Sequence, residues 1–417
     1  MTLLLGIILL ASCTKTETVE VEKIVEKEKI VNVKGDTITV TETINIVSPP
    51  EEYSFTRDGV STVFYTGQTD RLKMATAIKS AMNRLTSTQT KVNDMFNNST
   101  GFDDPSLNAS TKKVGNKVGK YGSATVKPLF DGWITEFTTI VAPAVNNSIT
   151  ATRTVAGKYI ESDASVGLGA DPRTVKVNAK GFELNQILSK GLIGALQIDQ
   201  IINGYLSFSK LDAVKQANDD GVYEEKLSGQ VTNTITKMEH YWDEGFGYLQ
   251  GLDNQYAPGL GDASIGRDGA NLNYYLNKIN AQEKEIGITK RVYDAFSAGR
   301  AAIVAKNYEE RDLQANIIKV ELSKVIGYKS QYYLGKAAEA IEEGEWATAL
   351  HAFSEAYGFI LGLQYTQGAN GEPYLTHEQV NEHLSTLSAG NGGFWDRTPA
   401  ELRTMADQIK QSTGLSE

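Results

Sequence analysis

Apolar side chains recur at helical spacing along most of this chain. Leu72, Ala75, Ile78, Met82 and Leu85 make one stripe, a spacing that gathers them on a single helix face. Leu184, Ile187, Leu188, Leu192, Ala195, Leu196, Ile201 and Ile202 make a longer one within 181–208. Further helical stretches are predicted at 133–145, 224–252, 272–307, 313–343 and 345–364. Thr376 and Thr398 read as helix caps, and Thr398-Pro399-Ala400-Glu401 is a capping box with Pro at the first helical position. Residues 97–122 and 255–269 read as loops. Alternation of period two is confined to the front. Tyr53 to Gln68 carries a small hairpin with Asp58-Gly59 as its turn. Thr37 to Val47 has strand composition without a clear partner. Thr14 to Pro50 is therefore read as an extended tether, on the order of 120 Å if fully drawn out.

The first residues address the chain rather than fold it. Leu3 to Leu10 is apolar except for Gly6, too short to span a bilayer. It ends in Leu10-Ala11-Ser12-Cys13, which resembles the lipobox of bacterial lipoproteins, although no Lys or Arg precedes it. The expected organisation is a signal peptide over 1–12, a lipidated Cys13 with its tether over 13–52, and a helical body over 53–417. Cys13 is the only Cys, so lipidation leaves no thiol for a disulfide, a metal or a nucleophile. No later segment has 18 consecutive apolar residues, which makes the lipid the sole expected membrane attachment. A net charge of −10 disfavours nucleic acid, whose phosphates require a basic footprint.

Two segments nearly repeat one another. His240-Tyr-Trp-Asp-Glu-Gly-Phe-Gly-Tyr-Leu-Gln-Gly-Leu252 and His351-Ala-Phe-Ser-Glu-Ala-Tyr-Gly-Phe-Ile-Leu-Gly-Leu363 stand 111 positions apart. A fainter echo joins Ser189-Lys-Gly-Leu-Ile-Gly-Ala to Ser297-Ala-Gly-Arg-Ala-Ala-Ile. The reading is an all-α, internally duplicated bundle of two related halves, with units at about 181–255 and 290–365, each holding the same helix pair. His and Glu at i and i+4 share a helix face. Gly247 and Gly251 continue that face in the first copy, and Gly358 and Gly362 in the second. Glycine inside a helix costs about 1 kcal/mol relative to alanine, so close helix packing is expected at all four. The motif helices are expected to be central and to cross near these glycines.

If the two helices pair about a pseudo-dyad, His240, Glu244, His351 and Glu355 converge as ligands for Fe or Zn, with Asp243 as an additional one. The alternative is that the same residues are hydrogen-bonded members of the core. Glu183, Gln186 and Lys190 share a face that reads as a solvated stripe, or else as a buried network beside the first motif. No phosphate loop, dinucleotide fingerprint, nucleophile elbow or His-Glu-x-x-His motif is present.

Thr66-Gly-Gln-Thr-Asp-Arg-Leu72, Ser189 to Ala195 and His240 to Tyr248 together resemble an uncharacterised family of Bacteroidota envelope lipoproteins, from about Tyr53 to the C-terminus. More distantly, the anchor, the doubled helical halves and the His-plus-acid motif resemble imelysin-type proteins. Those are two-bundle envelope proteins linked to iron uptake and once classed as peptidases. Their Gly-x-His-x-x-Glu pattern is approximated here only by His240 and Asp243, since Met238, Ala349 and Ser354 depart from it. The resemblance implies an outer-membrane lipoprotein with a non-enzymatic binding role in metal or iron acquisition, in contact with envelope uptake proteins. The alternatives are a structural or surface interaction lipoprotein without a small ligand, and an imelysin-type peptidase.

Overall fold

The computed structural model describes residues 22–33, 36–161, 172–228, 231–252, 271–282 and 284–415. Cys13 and the Gly-rich 255–269 segment lie outside the described residues. The chain divides into two units, Met1–Ser48 and Pro49–Glu417.

In the first unit, β1 (Glu22–Val33) pairs antiparallel with β2 (Asp36–Val47), in register from Glu22 opposite Val47 to Val33 opposite Asp36. This corrects the extended tether. Two alternating runs of equal length, joined by only Lys34 and Gly35, satisfy their backbone groups by pairing with each other.

The second unit is mostly helical. It opens with β3 (Thr56–Arg57) and β4 (Val60–Ser61). Asp58 and Gly59 both hold positive φ, 53° and 75°, the backbone that a two-residue hairpin turn requires. Helices α1 (Thr66–Ala81), α2 (Gln89–Asn97), α3 (Pro105–Ala109), α4 (Lys127–Glu136) and α5 (Ala142–Asn146) follow, then the pair β5 (Gly157–Ile160) and β6 (Thr174–Val177). Helix α6 (Leu184–Leu192) runs on into a π-helical stretch, Ile193–Tyr205. Short helices α7 (Phe208–Asp212) and α8 (Lys215–Asp219) lead to β7 (Tyr223–Ser228) and β8 (Val231–Thr236). The predicted helix over 224–252 is thus strands first. Val231-Thr-Asn-Thr-Ile-Thr alternates and is β-branched, and helix begins only where Thr236 and Glu239 form a capping box.

The rest is α9 (Lys237–Gln250), α10 (Leu272–Ala281), α11 (Ile288–Val304), α12 (Tyr308–Glu342), α13 (Trp346–Gly362), α14 (His377–Leu387) and α15 (Pro399–Thr413). Gly287, at φ 81°, precedes α11 and separates it from α10 within the predicted 272–307 stretch. The 35-residue α12 is the spine, with α11, α13 and α15 packed along it. Helix α13 lies between α12 and α6, while α9 packs on the π-helical stretch, α1 and α11. Thr376 and Thr398 cap α14 and α15 as predicted.

The π-helical stretch carries buried polar side chains, and these fix a neighbouring loop. Asp199 accepts from the backbone N–H of Tyr121 at 3.0 Å and of Gly122 at 2.7 Å. Gln200 donates to the Lys117 carbonyl at 3.1 Å, and the Gly119 N–H reaches the Ala195 carbonyl at 2.7 Å. Residues 117–122 are thereby held by main-chain bonds despite their glycines. Burial pushes the Asp199 carboxyl up to about 6.

Candidate functional site

The two motif helices have different neighbours but use corresponding positions in the same way. On α13, Gly358 sits against α6. A Cβ there would lie 2.5 Å from Lys190 Cβ, 2.8 Å from Gly191 N and 2.9 Å from the Ile187 carbonyl. On α9, a Cβ at Gly247 would run into Tyr65 and Gln68 at the start of α1. Each seat is therefore a pair of residues three apart on the partner helix, Ile187 with Lys190 and Tyr65 with Gln68. One turn further on, Gly362 meets Gly194 backbone to backbone, and Gly251 lies against Thr69. The glycine faces thus meet other helices, which corrects the expected crossing of the motif helices on each other.

The glutamates repeat this correspondence. Glu355 forms an ion pair with Lys190 at 3.1 Å and accepts from the Tyr275 hydroxyl at 3.5 Å. Glu244 accepts from Gln68 at 2.8 Å and from the Tyr205 hydroxyl at 3.1 Å. In each copy the glutamate is tied to the partner helix and to a tyrosine. The residue before it does a further job. Ser354 accepts the backbone N–H of Glu183, which caps α6, at 2.9 Å. Asp243 accepts that of Phe64, just ahead of α1, at 3.1 Å.

Around the second copy the polar set is deeply buried. Lys190 is 1 % exposed and Glu355 6 %. Burial pushes the Glu355 carboxyl up, but Lys190 and His351 outweigh it and hold it below the usual carboxylate range. Burial, then the charge of Glu355, drives the Tyr275 hydroxyl well above its ordinary value, so it stays protonated as a donor. His351 lies at the edge of this set, with its side chain 23 % exposed. Its Nδ1 is 2.6 Å from Glu183, and its Nε2 faces Glu355 at 3.6 Å. The solvated-stripe reading of Glu183 and Lys190 is corrected: both are buried, and they serve the second motif rather than the first.

Around the first copy the acids divide between two tasks. Asp243, expected as an extra metal ligand, instead joins a cluster built on the fully buried Arg300 of α11. Arg300 Nε lies 3.1 Å from Asp243, and its Nη1 lies 3.0 Å from Glu239. Its Nη2 donates to Thr62, Tyr53 donates to Asp243 at 2.7 Å, and Arg57 reaches Glu239 at 2.9 Å. The α11 helix closes on α9 because Gly299 leaves room for the Trp242 ring, whose Nε1 donates to the Phe296 carbonyl at 2.9 Å. The echo segments thus pair crosswise, Gly191 with the second motif and Gly299 with the first, rather than within one unit each. His240, half-buried and edge-on to Phe64, has its pKa lowered by burial.

The four predicted ligands do not form one site. His240 with Glu244 and His351 with Glu355 have no hydrogen-bonding partner in common. Among the described residues, no group of three or more His, Cys, Asp or Glu is placed to hold a metal ion. The physical reason is the seating of each motif helix on its own partner helix.

A family model described as a domain of unknown function, DUF4856, matches residues 50–416. The chain belongs to this family. The DUF4856 match covers the helical body with both motif helices and leaves out residues 1–49, which include the β1–β2 hairpin. No curated protein and no solved structure matches the chain. Among the described residues, no helix is long and apolar enough to cross a membrane.

Sequence reasoning missed Arg300, Glu239 and the tyrosines. Arg300 had a signal: it is the one charge in Ser297-Ala-Gly-Arg-Ala-Ala-Ile-Val304, and a cation in a small apolar helix run needs an anion. The tyrosines gave none, because their partners are distant in the chain.

Proposed function

We propose that this is a lipid-anchored cell-envelope protein with a non-enzymatic binding role, built by duplication of one motif helix seated on a partner helix. The observation that carries the duplication is the shared division of labour. In both copies the residue three after His holds the start of the partner helix, the next Glu ties to that helix and to a tyrosine, and the glycine seven after His forms the seat. Such agreement across side chains as different as Gln68 and Lys190 is hard to reach by chance. The binding reading rests on the histidines. Asp243 and Glu244 are committed to structure, while His240 and His351 both stay at half-buried edges.

The anchor rests on Leu10-Ala-Ser-Cys13 and on the absence of any other Cys. Labelling with a fatty-acid analogue tests it. The wild type should take up the label and Cys13→Ser should not, with the variant released from membranes. Equal labelling of the two would end the lipoprotein reading.

One observation favours a metal in this role. Glu183 at His351 Nδ1 is the carboxylate–histidine contact that orients a ligating imidazole, and Nε2 then faces Glu355. A Zn or Fe ion would take His351 Nε2 and Glu355 in place of the Lys190 ion pair. This confines metal acquisition to the second copy, with the first copy serving another ligand.

A further inference from the structure

In a chain of net charge −10, four lysine amines lie on tyrosine rings beside the first motif. The Lys210 amine lies 4.4 Å from the ring centres of both Tyr205 and Tyr241, and 5.5 Å from that of Tyr121. Lys117 lies 5.7 Å from the Tyr205 ring, Lys120 5.6 Å from that of Tyr121, and Lys237 5.9 Å from that of Tyr241. Four amines are thus gathered on three tyrosine rings. Among the described residues, none of the four forms an ion pair with a carboxylate. Glu244 is the acid that acts on Lys117 and Lys210, and Gln68 and Tyr205 both donate to its Oε1.

Like charges on neighbouring side chains repel, since each raises the free energy of the others. They are kept together by the scaffold. Asp199, Gln200 and the Ala195 carbonyl fix the backbone of residues 117–122, and ring faces attract the ammonium groups. Burial lowers the Lys117 pKa to about 8, and Arg71, Lys120 and Lys210 add to the effect against the pull of Glu244. A bare metal cation would meet repulsion here, whereas an anion would relieve it.

We propose that Lys117, Lys120, Lys210 and Lys237, gathered on Tyr121, Tyr205 and Tyr241 beside the first motif, bind a small multivalent oxyanion bearing phosphate or carboxylate groups. Lys117 and Lys210 are half-buried, so a small ligand reaches them and a flat membrane surface does not. The tyrosine faces are covered by amines, so the recognition is of charge rather than of stacked rings. The proposal rests on the binding reading above but not on the anchor, and each can fail without the other.

The test is calorimetric titration of the full chain with pyrophosphate and with citrate at low salt. Wild type should bind at least one of them, more weakly as sodium chloride is added. Lys117→Gln with Lys210→Gln should weaken binding about tenfold or more. Lys117→Arg with Lys210→Arg should retain it, which separates loss of charge from loss of fold. Absence of binding up to about 1 mM by wild type would overturn the proposal, as would undiminished binding by the Gln pair. Binding to phosphatidylglycerol vesicles by wild type and the Gln pair alike, with neither small anion bound, would assign the patch to a membrane surface and overturn it as well.

Discussion

Arg300→Met should lower the stability of the protein by about 3–5 kcal/mol, the usual consequence of removing one partner from a buried ion cluster. Arg300 is fully buried and spans Asp243 and Glu239. Without it both carboxylates remain in the core, with only the half-exposed Arg57 beside Glu239. The pH dependence has a definite sign. Burial already pushes the Asp243 carboxyl up to about 6 against the pull of Arg300, and the substitution should raise it further. A carboxyl raised in the fold favours folding when protonated and loses that contribution as pH rises through its folded pKa. The deficit of the variant should therefore be larger at about pH 8 than at about pH 5. Arg300→Lys should recover only part of the loss, since an ammonium cannot fork to two carboxylates. Urea unfolding at the two pH values measures this. A deficit under about 1 kcal/mol would mean that the cluster does not hold α11 to α9.

Gly358→Leu should cost about 3 kcal/mol or more, against a helix-propensity gain of about 1 kcal/mol. The new side chain would meet Gly191 N and the Ile187 carbonyl, which are backbone atoms and move only if α6 parts from α13. Lys190 and Glu355, whose ion pair lies beside this seat, would separate with them. Gly335, inside α12 with nothing within 4 Å of its added Cβ, provides the contrast: Gly335→Ala should stabilise by about 0.5–1 kcal/mol. Thermal melts of the two variants should move in opposite directions. A wild-type melt for Gly358→Leu would show that the helix seat is open.

Helical period made most of the body legible, from the stripe at Leu72 to the long α12, because amphipathic helices write their packing locally. The Asp58-Gly59 turn and the Thr376 and Thr398 caps were legible for the same reason. The β1–β2 hairpin was not, since each run looks like a lone strand until its partner is found. The 224–252 stretch was misread where β-branched Val231 to Thr236 adjoins a strongly helical motif. At the site, the spacing of His, Glu and Gly correctly grouped them on one face, but spacing cannot name the neighbour. Gln68, Lys190, Tyr205 and Tyr275 are set by tertiary packing, and so is the division of the predicted ligands between two places. The lysine–tyrosine group is assembled from 117–121, 205–210 and 237–241, which no local pattern connects.

The two His–Glu pairs have separate surroundings, and the proposed metal binding belongs to the second alone. Calorimetric titration with Zn(II) and Fe(II) of wild type, His240→Ala and His351→Ala tests this most directly. The expected result is one metal site, unchanged by His240→Ala and abolished by His351→Ala. A single site lost equally on either substitution would show the four residues acting together, and would contradict the account.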